Sequence, residues 1–231
     1  MPDRLNFIFD ADSTLIQVEG LEELALIALD GNPEKDKIMG EISDITNAGM
    51  EGKISMDESL SRRIRLLHAD RGHVALLALR LKGKITPSIL EHRDFFERNK
   101  NNIFVLSGGF RDFLGPALEY LSIPAGNILA NSFEYDSAGR ITGYDRANPL
   151  AGKKGKVEAV RRLGLLGRVF VVGDGYTDYE IREAGEAEKF FAFTENVRRE
   201  SVVEKADYVI DDFDEFLKIL SKEYCFEAAV N

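Results

Sequence analysis

The chain carries a single cysteine, Cys225, so an intramolecular disulfide framework is excluded. Its three histidines, His68, His73 and His92, fall on different segments, and no zinc-ligand spacing appears among them. No apolar run approaches the roughly twenty residues of a membrane-spanning helix. A strand-like segment begins by Leu5, which leaves no room ahead of it for a signal peptide. A cytoplasmic protein with no membrane partner is expected. Positive charge is also scarce: 30 Lys plus Arg against 40 Asp plus Glu give a formal net charge of -10, which argues against a nonspecific nucleic-acid binder. A small anionic substrate stays open, because a divalent cation or a few local cations can hold one on an acidic protein.

What is present is organised around Phe7-Ile8-Phe9-Asp10-Ala11-Asp12-Ser13-Thr14, an apolar run that hands two carboxylates to a polar turn. Leu5 to Phe9 suits an interior parallel strand, and such strands present ligand-binding groups beyond their carboxyl ends. In an extended segment Asp10 and Asp12 share a face and address one substrate. An ordinary strand-to-turn junction would show the same residues.

With 231 residues, one large domain or a core with an inserted module is expected. From about Glu19 to Leu81 the apolar spacing is helical throughout, with Ser55 and Glu58 predicting a capping box. At Thr86-Pro87 an α/β alternation begins, with Thr86 predicted to cap a helix over 88–98. Strands are predicted at Ile103 to Leu106, Ile128 to Ala130, Val169 to Val172, Phe190 to Phe193 and Tyr208 to Ile210, a hairpin over 133–144, and helices near 112–121, 156–163 and 213–220. Residues 223–231 show no clear pattern and read as a disordered or docking tail. The alternation predicts an α/β fold, a doubly wound, Rossmann-like parallel sheet core over residues 1–18 and 82–231, with a helical cap inserted over 19–81 above the ligand-binding edge.

Three further strand ends carry polar groups. Ser107-Gly108-Gly109 offers a hydroxyl and free backbone N–H groups to a phosphate, although a glycine turn into a helix looks the same. Lys153-Lys154-Gly155-Lys156 places cations at a helix start, where an anion would compensate them; a solvated basic turn is the alternative, and the sequence alone does not choose among the lysines. Gly173-Asp174-Gly175-Tyr176-Thr177-Asp178 closes a strand with two carboxylates, a hard oxygen set that suits magnesium, although acids are favoured at helix starts without metal. Four such coincidences at successive sheet ends outweigh the ordinary readings.

Together these motifs resemble the haloacid dehalogenase superfamily over nearly the whole chain, and within it the branch that hydrolyses phosphoserine. The resemblance rests on Asp10-x-Asp12-Ser13-Thr14, Glu19-Gly20, Ser107 to Phe110, Lys154 to Val157, and Asp174 to Asp178. It implies Asp10 as nucleophile, Asp12 as general acid and base, and Ser107 and Lys154 as catalytic partners, Lys154 because it is the lysine of the Lys-Gly pair. Mg2+ is implied at Asp10, Asp174, Asp178 and the Asp12 carbonyl. Glu19 is implied for the substrate ammonium and Arg63 for its carboxylate, with Ser107, Gly108, Gly109 and Thr177 also at the substrate. Met50 and Met56 suit an apolar wall, Met56 standing where the family often has Phe.

The expected activity is Mg2+-dependent hydrolysis of O-phosphoserine, a small phosphomonoester, through an aspartyl-phosphate, a step of serine biosynthesis. The rivals are a relative acting on another phosphorylated metabolite or passing the phosphoryl group to an alcohol, and a noncatalytic regulator, which the second aspartate argues against. The sequence leaves monomer and homodimer open.

Overall fold

A computed structural model describes residues 4–224 and 226. Six parallel strands form one sheet in the order β3-β2-β1-β6-β7-β8. They are β1 (Leu5–Phe9), β2 (Ile103–Phe110), β3 (Ile128–Asn131), β6 (Arg168–Gly173), β7 (Lys189–Phe193) and β8 (Tyr208–Ile210). The hairpin of β4 (Phe133–Tyr135) and β5 (Ile141–Tyr144) stands apart as an antiparallel pair. The two-residue period of the central strands divides their side chains between two cores. Phe7, Phe9, Phe170, Val172, Phe191 and Phe193 belong to one, and Ile8, Val169, Val171, Phe190 and Ala192 to the other. Both faces are thus apolar, which is why these strands read as continuous hydrophobic runs.

The sheet is flanked by α5 (Pro87–Glu91), α6 (Arg93–Asn99), α7 (Arg111–Leu118), α8 (Gly155–Leu163), α9 (Tyr176–Glu183), α10 (Glu200–Val203) and α11 (Phe213–Tyr224). Between β1 and β2 lie α1 (Gly20–Ala28), α2 (Lys35–Met50), α3 (Met56–Leu67) and α4 (Arg71–Leu81). Where the chain leaves and re-enters the sheet layer its two passes pair. Gln17 donates its N–H to the Lys84 carbonyl (2.8 Å), and Thr86 to that of Leu15 (3.0 Å).

Several local expectations shift. The helix expected over 88–98 breaks at His92 into α5 and α6. Thr86 stands at the N-cap with Pro87 first in the helix, as expected, but its hydroxyl makes no cap bond and donates to the Thr14 carbonyl at 2.6 Å, satisfying a buried carbonyl of the Asp10 turn. Ser55 does accept from the Glu58 N–H, but the two-way capping box forms one helix later, between Asp70 and His73. The strand ending at Leu106 runs on to Phe110 through an irregularity in its pairing with β3, so Ser107, Gly108 and Gly109 belong to a bulged strand end. Of the supposed tail, Glu223 and Tyr224 complete α11 and the Phe226 ring lies edge-on to Phe7 and Phe95; the remainder falls outside the described residues.

The larger core is aromatic beneath β1. Phe216 is fully buried and meets Phe7, Phe9, Phe191 and Phe213 with ring centroids 4.9–6.1 Å apart. Deleting it removes the α11 contacts to Phe7 and one of the two to Phe9 on the strand that leads to Asp10, leaving Phe213 against Phe9. Phe216→Ala is expected to lower unfolding free energy by about 3–5 kcal/mol in urea denaturation; a loss under about 1 kcal/mol would mean that α11 does not brace β1.

Candidate active site

The site forms where the sheet order reverses direction, beyond the carboxyl ends of β1, β2 and β6, the edge at which open parallel sheets bind ligands. Asp10 leaves β1 extended, and its Oδ1 accepts from the Ala11 N–H at 2.8 Å. Ser13 adopts a left-handed conformation (φ 54°), which turns the chain back and aims its hydroxyl at Glu19 Oε1, 2.8 Å away. Asn196 braces this turn by donating to the Ser13 carbonyl (3.1 Å) and the Thr86 hydroxyl (2.8 Å).

Asp12 is held on two sides. Its Oδ1 accepts from the first N–H of α1, that of Gly20, at 2.6 Å, and its Oδ2 from the Ser107 hydroxyl at 3.1 Å. Burial, reinforced by Glu19 and Asp10, nevertheless pushes its pKa up to about 7. Gly109 is required here: a Cβ at that position would sit 2.5 Å from Asp12 Oδ2. Its N–H is not free, since it donates to Ser107 Oγ at 2.8 Å.

Asp10, Asp174 and Asp178 are buried, and each offers one oxygen within 4.8 Å of the others. Asp178 lies in the first turn of α9, as its spacing from Asp174 predicts. Burial pushes Asp178 up to about 7 although Lys156 opposes it, and burial raises Asp174 well above the usual carboxylate range against the pull of Arg199. With every carboxylate ionised, the site would hold more negative charge than its own cations neutralise. Lys156, Arg199 and Arg63 stand against Asp10, Asp12, Glu19, Asp174 and Asp178, so a divalent cation fits both the donor set and the charge deficit.

Of the basic triplet, the residue at the site is Lys156. Its Nζ lies 2.8 Å from Asp10 Oδ1 and 2.7 Å from Asp178 Oδ1. Burial works against its charge, but the two carboxylates hold its pKa above the usual lysine value. Lys154, chosen from the motif, is displaced from this role: it takes the left-handed conformation (φ 54°) just before α8 and its side chain is exposed, whereas the first turn of the helix carries Lys156 inward. Gly155 follows because a Cβ there would collide with the Pro149 carbonyl.

A small cavity is lined by Asp10, Asp12, Gly109 and Lys156 and also by Glu19, Arg63, Met50, Met56, Gly108 and Thr177. Burial raises the Glu19 pKa, with Ser13 and Arg199 opposing. Arg63 is buried on α3, and its hydrogen bonds to the Ser59 carbonyl and Thr46 hydroxyl are long, at 3.4 Å each. The Thr177 hydroxyl is buried without a partner among the described residues. Gly108 faces Met56, whose Cε would lie 2.9 Å from a Cβ at that position.

Arg199, absent from the sequence reading, joins Asp174 (2.6 Å) to Glu19 (3.7 Å). The available signal was its place in the loop after β7, another sheet end. Thr14 likewise donates to Asp174 at 3.2 Å, tying the first motif to the last.

An acidic cluster bridged by Lys156 and Arg199 at the ligand-binding edge of a parallel sheet places the chain among α/β proteins with a charged site at that edge. The model of the haloacid dehalogenase-like hydrolases matches residues 7–182. Phosphoserine phosphatase of Bos taurus is 32% identical over 217 residues, 93% of this chain and 92% of the relative. That of Homo sapiens is 32% identical over 212 residues, 90% of each. Among solved structures, a phosphoserine phosphohydrolase-like protein from Francisella tularensis superposes with a TM-score of 0.85 at 32% identity, covering 94% of this chain and 100% of that one. The chain belongs to the haloacid dehalogenase-like hydrolases, within them to the phosphoserine phosphatase family, and is a phosphomonoester hydrolase.

The carboxyl cluster couples pH to stability. Asp12 and Asp178 bind protons more tightly in the folded chain, at about 7, than at their ordinary value of 3.8. Their contribution is fully present below 3.8 and is lost as pH rises through about 7. Metal-free protein is therefore expected to melt at a lower temperature at about pH 8 than at about pH 5, and Asp178→Asn to flatten that slope. A slope untouched by the substitution would show that the cluster does not carry it.

Proposed function

We propose that the chain hydrolyses O-phospho-L-serine to serine and inorganic phosphate through a phosphorylated Asp10. Asp10 attacks phosphorus as the bond to the serine oxygen breaks, and the proton held by Asp12 passes to that oxygen. Asp12 then takes a proton from water, whose oxygen attacks phosphorus and breaks the bond to Asp10; phosphate leaves, and Asp12 is again protonated. A carboxyl group titrating at about 7 suits both roles, since it is a competent acid and a competent base near neutral pH.

An aspartate approaching a phosphate oxyanion is repelled by roughly 4 kcal/mol per charge pair near 4 Å at an effective dielectric of 20. Lys156 offsets part of this as a point charge beside Asp10, and the Ser107 hydroxyl and the Gly108 backbone contribute donors. Asp10, Asp174 and Asp178, with the Asp12 carbonyl, would hold Mg2+, which when bound supplies the remaining positive charge at the phosphoryl oxygens. Thr14 and Arg199 keep the Asp174 carboxylate oriented.

The substrate assignment is carried by the pairing of Glu19 with Arg63 in the cavity that Asp10 also lines. A zwitterionic amino acid needs one charge of each sign. Arg63, buried with only long hydrogen bonds, suits a bidentate carboxylate, and Glu19 an ammonium. Thr177 adds a free hydroxyl, and Met50 with Met56 an apolar wall. Residues 19–81 then act as the specificity cap on a core of 1–18 and 82–231.

Phosphate release should be measured from L-phosphoserine, phosphothreonine, phosphoethanolamine and a sugar phosphate, each with Mg2+ and with chelator. Preferential, Mg2+-dependent release from phosphoserine is expected; equal rates across the panel would remove Glu19 and Arg63 from substrate recognition. A phosphohomoserine product on adding homoserine would replace hydrolysis by transfer. Asp10→Asn should reduce turnover at least about a thousandfold without unfolding the chain. Lys156→Ala should be nearly as damaging and Lys154→Ala mild; the reverse order would restore Lys154 to the chemistry.

A further inference from the structure

The hairpin β4–β5 joins the two halves of the candidate site by a route that does not pass through the cavity. At its base, Phe133 stacks on Phe110, with ring centroids 3.7 Å apart and planes 3° from parallel, so it rests on the residue that ends the Ser107-Gly108-Gly109 segment. Asp112 at the start of α7 accepts from the Phe133 N–H (3.3 Å) and the Tyr135 hydroxyl (3.1 Å), which fixes the hairpin to the sheet layer.

From that base the hairpin grips α3 beyond both ends of the helix segment that carries Arg63. On one side the Tyr144 hydroxyl, in a residue only 2% exposed, lies 2.9 Å from both Asp57 Oδ1 and Ser61 Oγ. Arg146, two residues on, reaches the same pair at 3.3 and 3.1 Å. Asp57 and Ser61 are one helical turn apart, so two hairpin side chains read a single face of α3. On the other side, just past the end of α3, Ile141 donates its N–H to the Ala69 carbonyl (2.9 Å) and Arg71 to that of Gly139 (3.0 Å). The Arg71 guanidinium also lies 3.8 Å above the Tyr135 ring.

Although α3 also packs on α1 and α2 and its first residue, Met56, meets Gly108, Arg63 makes only long hydrogen bonds of its own. Its long contacts to Ser59 and Thr46 come from α3 itself and from α2, both within the inserted helices. The hairpin touches both the strand end bearing Ser107 and the helix bearing Arg63, and so adds a second tie between them. We propose that Tyr144, with Arg146, is a positioning residue for Arg63, and that the hairpin sets the span between the phosphate and carboxylate ends of the substrate. Neither side chain lines the cavity, so each acts through α3.

The inference rests on Arg63 as the carboxylate ligand, and the experiment separates the two. KM and kcat are measured for phosphoserine and for phosphoethanolamine, which lacks the carboxylate, in the full chain and in Tyr144→Phe, Arg146→Ala, Arg63→Ala and the double variant Tyr144→Phe/Arg63→Ala. Tyr144→Phe keeps the buried ring, and Arg146 is exposed, so folding is preserved in at least the second. Each is expected to raise KM for phosphoserine by about three- to tenfold, the scale of one or two lost hydrogen bonds, with kcat and the phosphoethanolamine constants within about twofold. In the double variant, Tyr144→Phe should add nothing to the effect of Arg63→Ala. If Arg63→Ala raises KM selectively while neither hairpin variant does, or if the effects multiply, the positioning role is overturned and the Arg63 assignment stands. If Arg63→Ala raises KM equally for both substrates, both are overturned. A fall in kcat for both substrates in the hairpin variants would instead mark the hairpin as a general structural brace and overturn the proposal.

Discussion

Like charge gathered in a dry place is the constraint on which the rest of this structure depends. Asp10, Asp12, Asp174 and Asp178 are all buried, and burial is the largest cause of the raised pKa at each of the last three. Such a cluster persists only where fixed cations and donors offset it. Lys156 bridges two of these carboxylates, Arg199 joins Asp174 to Glu19, and the start of α1 addresses Asp12. Each compensating group comes from a different stretch of chain, so forming the site and folding the domain are one event.

The fold supplies the rigidity this requires. β1 is sandwiched between β2 and β6 and buried on both faces, with its phenylalanines against α6 and α11 and Ile8 in the opposite core. A strand so enclosed has no freedom to relax the repulsion at its end by moving. The strained Ser13 conformation, braced by Asn196, is a local expression of the same arrangement. The carboxylate oxygens gathered there form a donor set that suits a divalent cation.

The inserted helices bring further charged side chains to the cavity beside that centre. Arg63 and Glu19 bring opposite charges to the cavity wall, and α3 is held by hydrogen bonds and an ion pair from the hairpin. On the proposed substrate reading, recognition at one end of a small molecule is tied to chemistry at the other through covalent and packed structure.

Much of this was legible in the residues themselves. Short apolar runs identified every strand of the sheet, because a parallel strand buried on both faces has few other ways to be written. Polar residues closing those strands marked Asp10, Asp12, Ser107, Asp174 and Asp178, because such sheets expose function at that edge. Local sequence could not say which lysine of the basic triplet turns inward. That depended on a left-handed residue at Lys154 and on the clash that keeps Gly155 free of a side chain, which together rotate Lys156 into the carboxylates. Nor could it find Arg199, or the hairpin's hold on α3. Those contacts join segments far apart in the chain, and their partners are chosen by packing, a property of the assembled layers to which no short stretch of sequence has access.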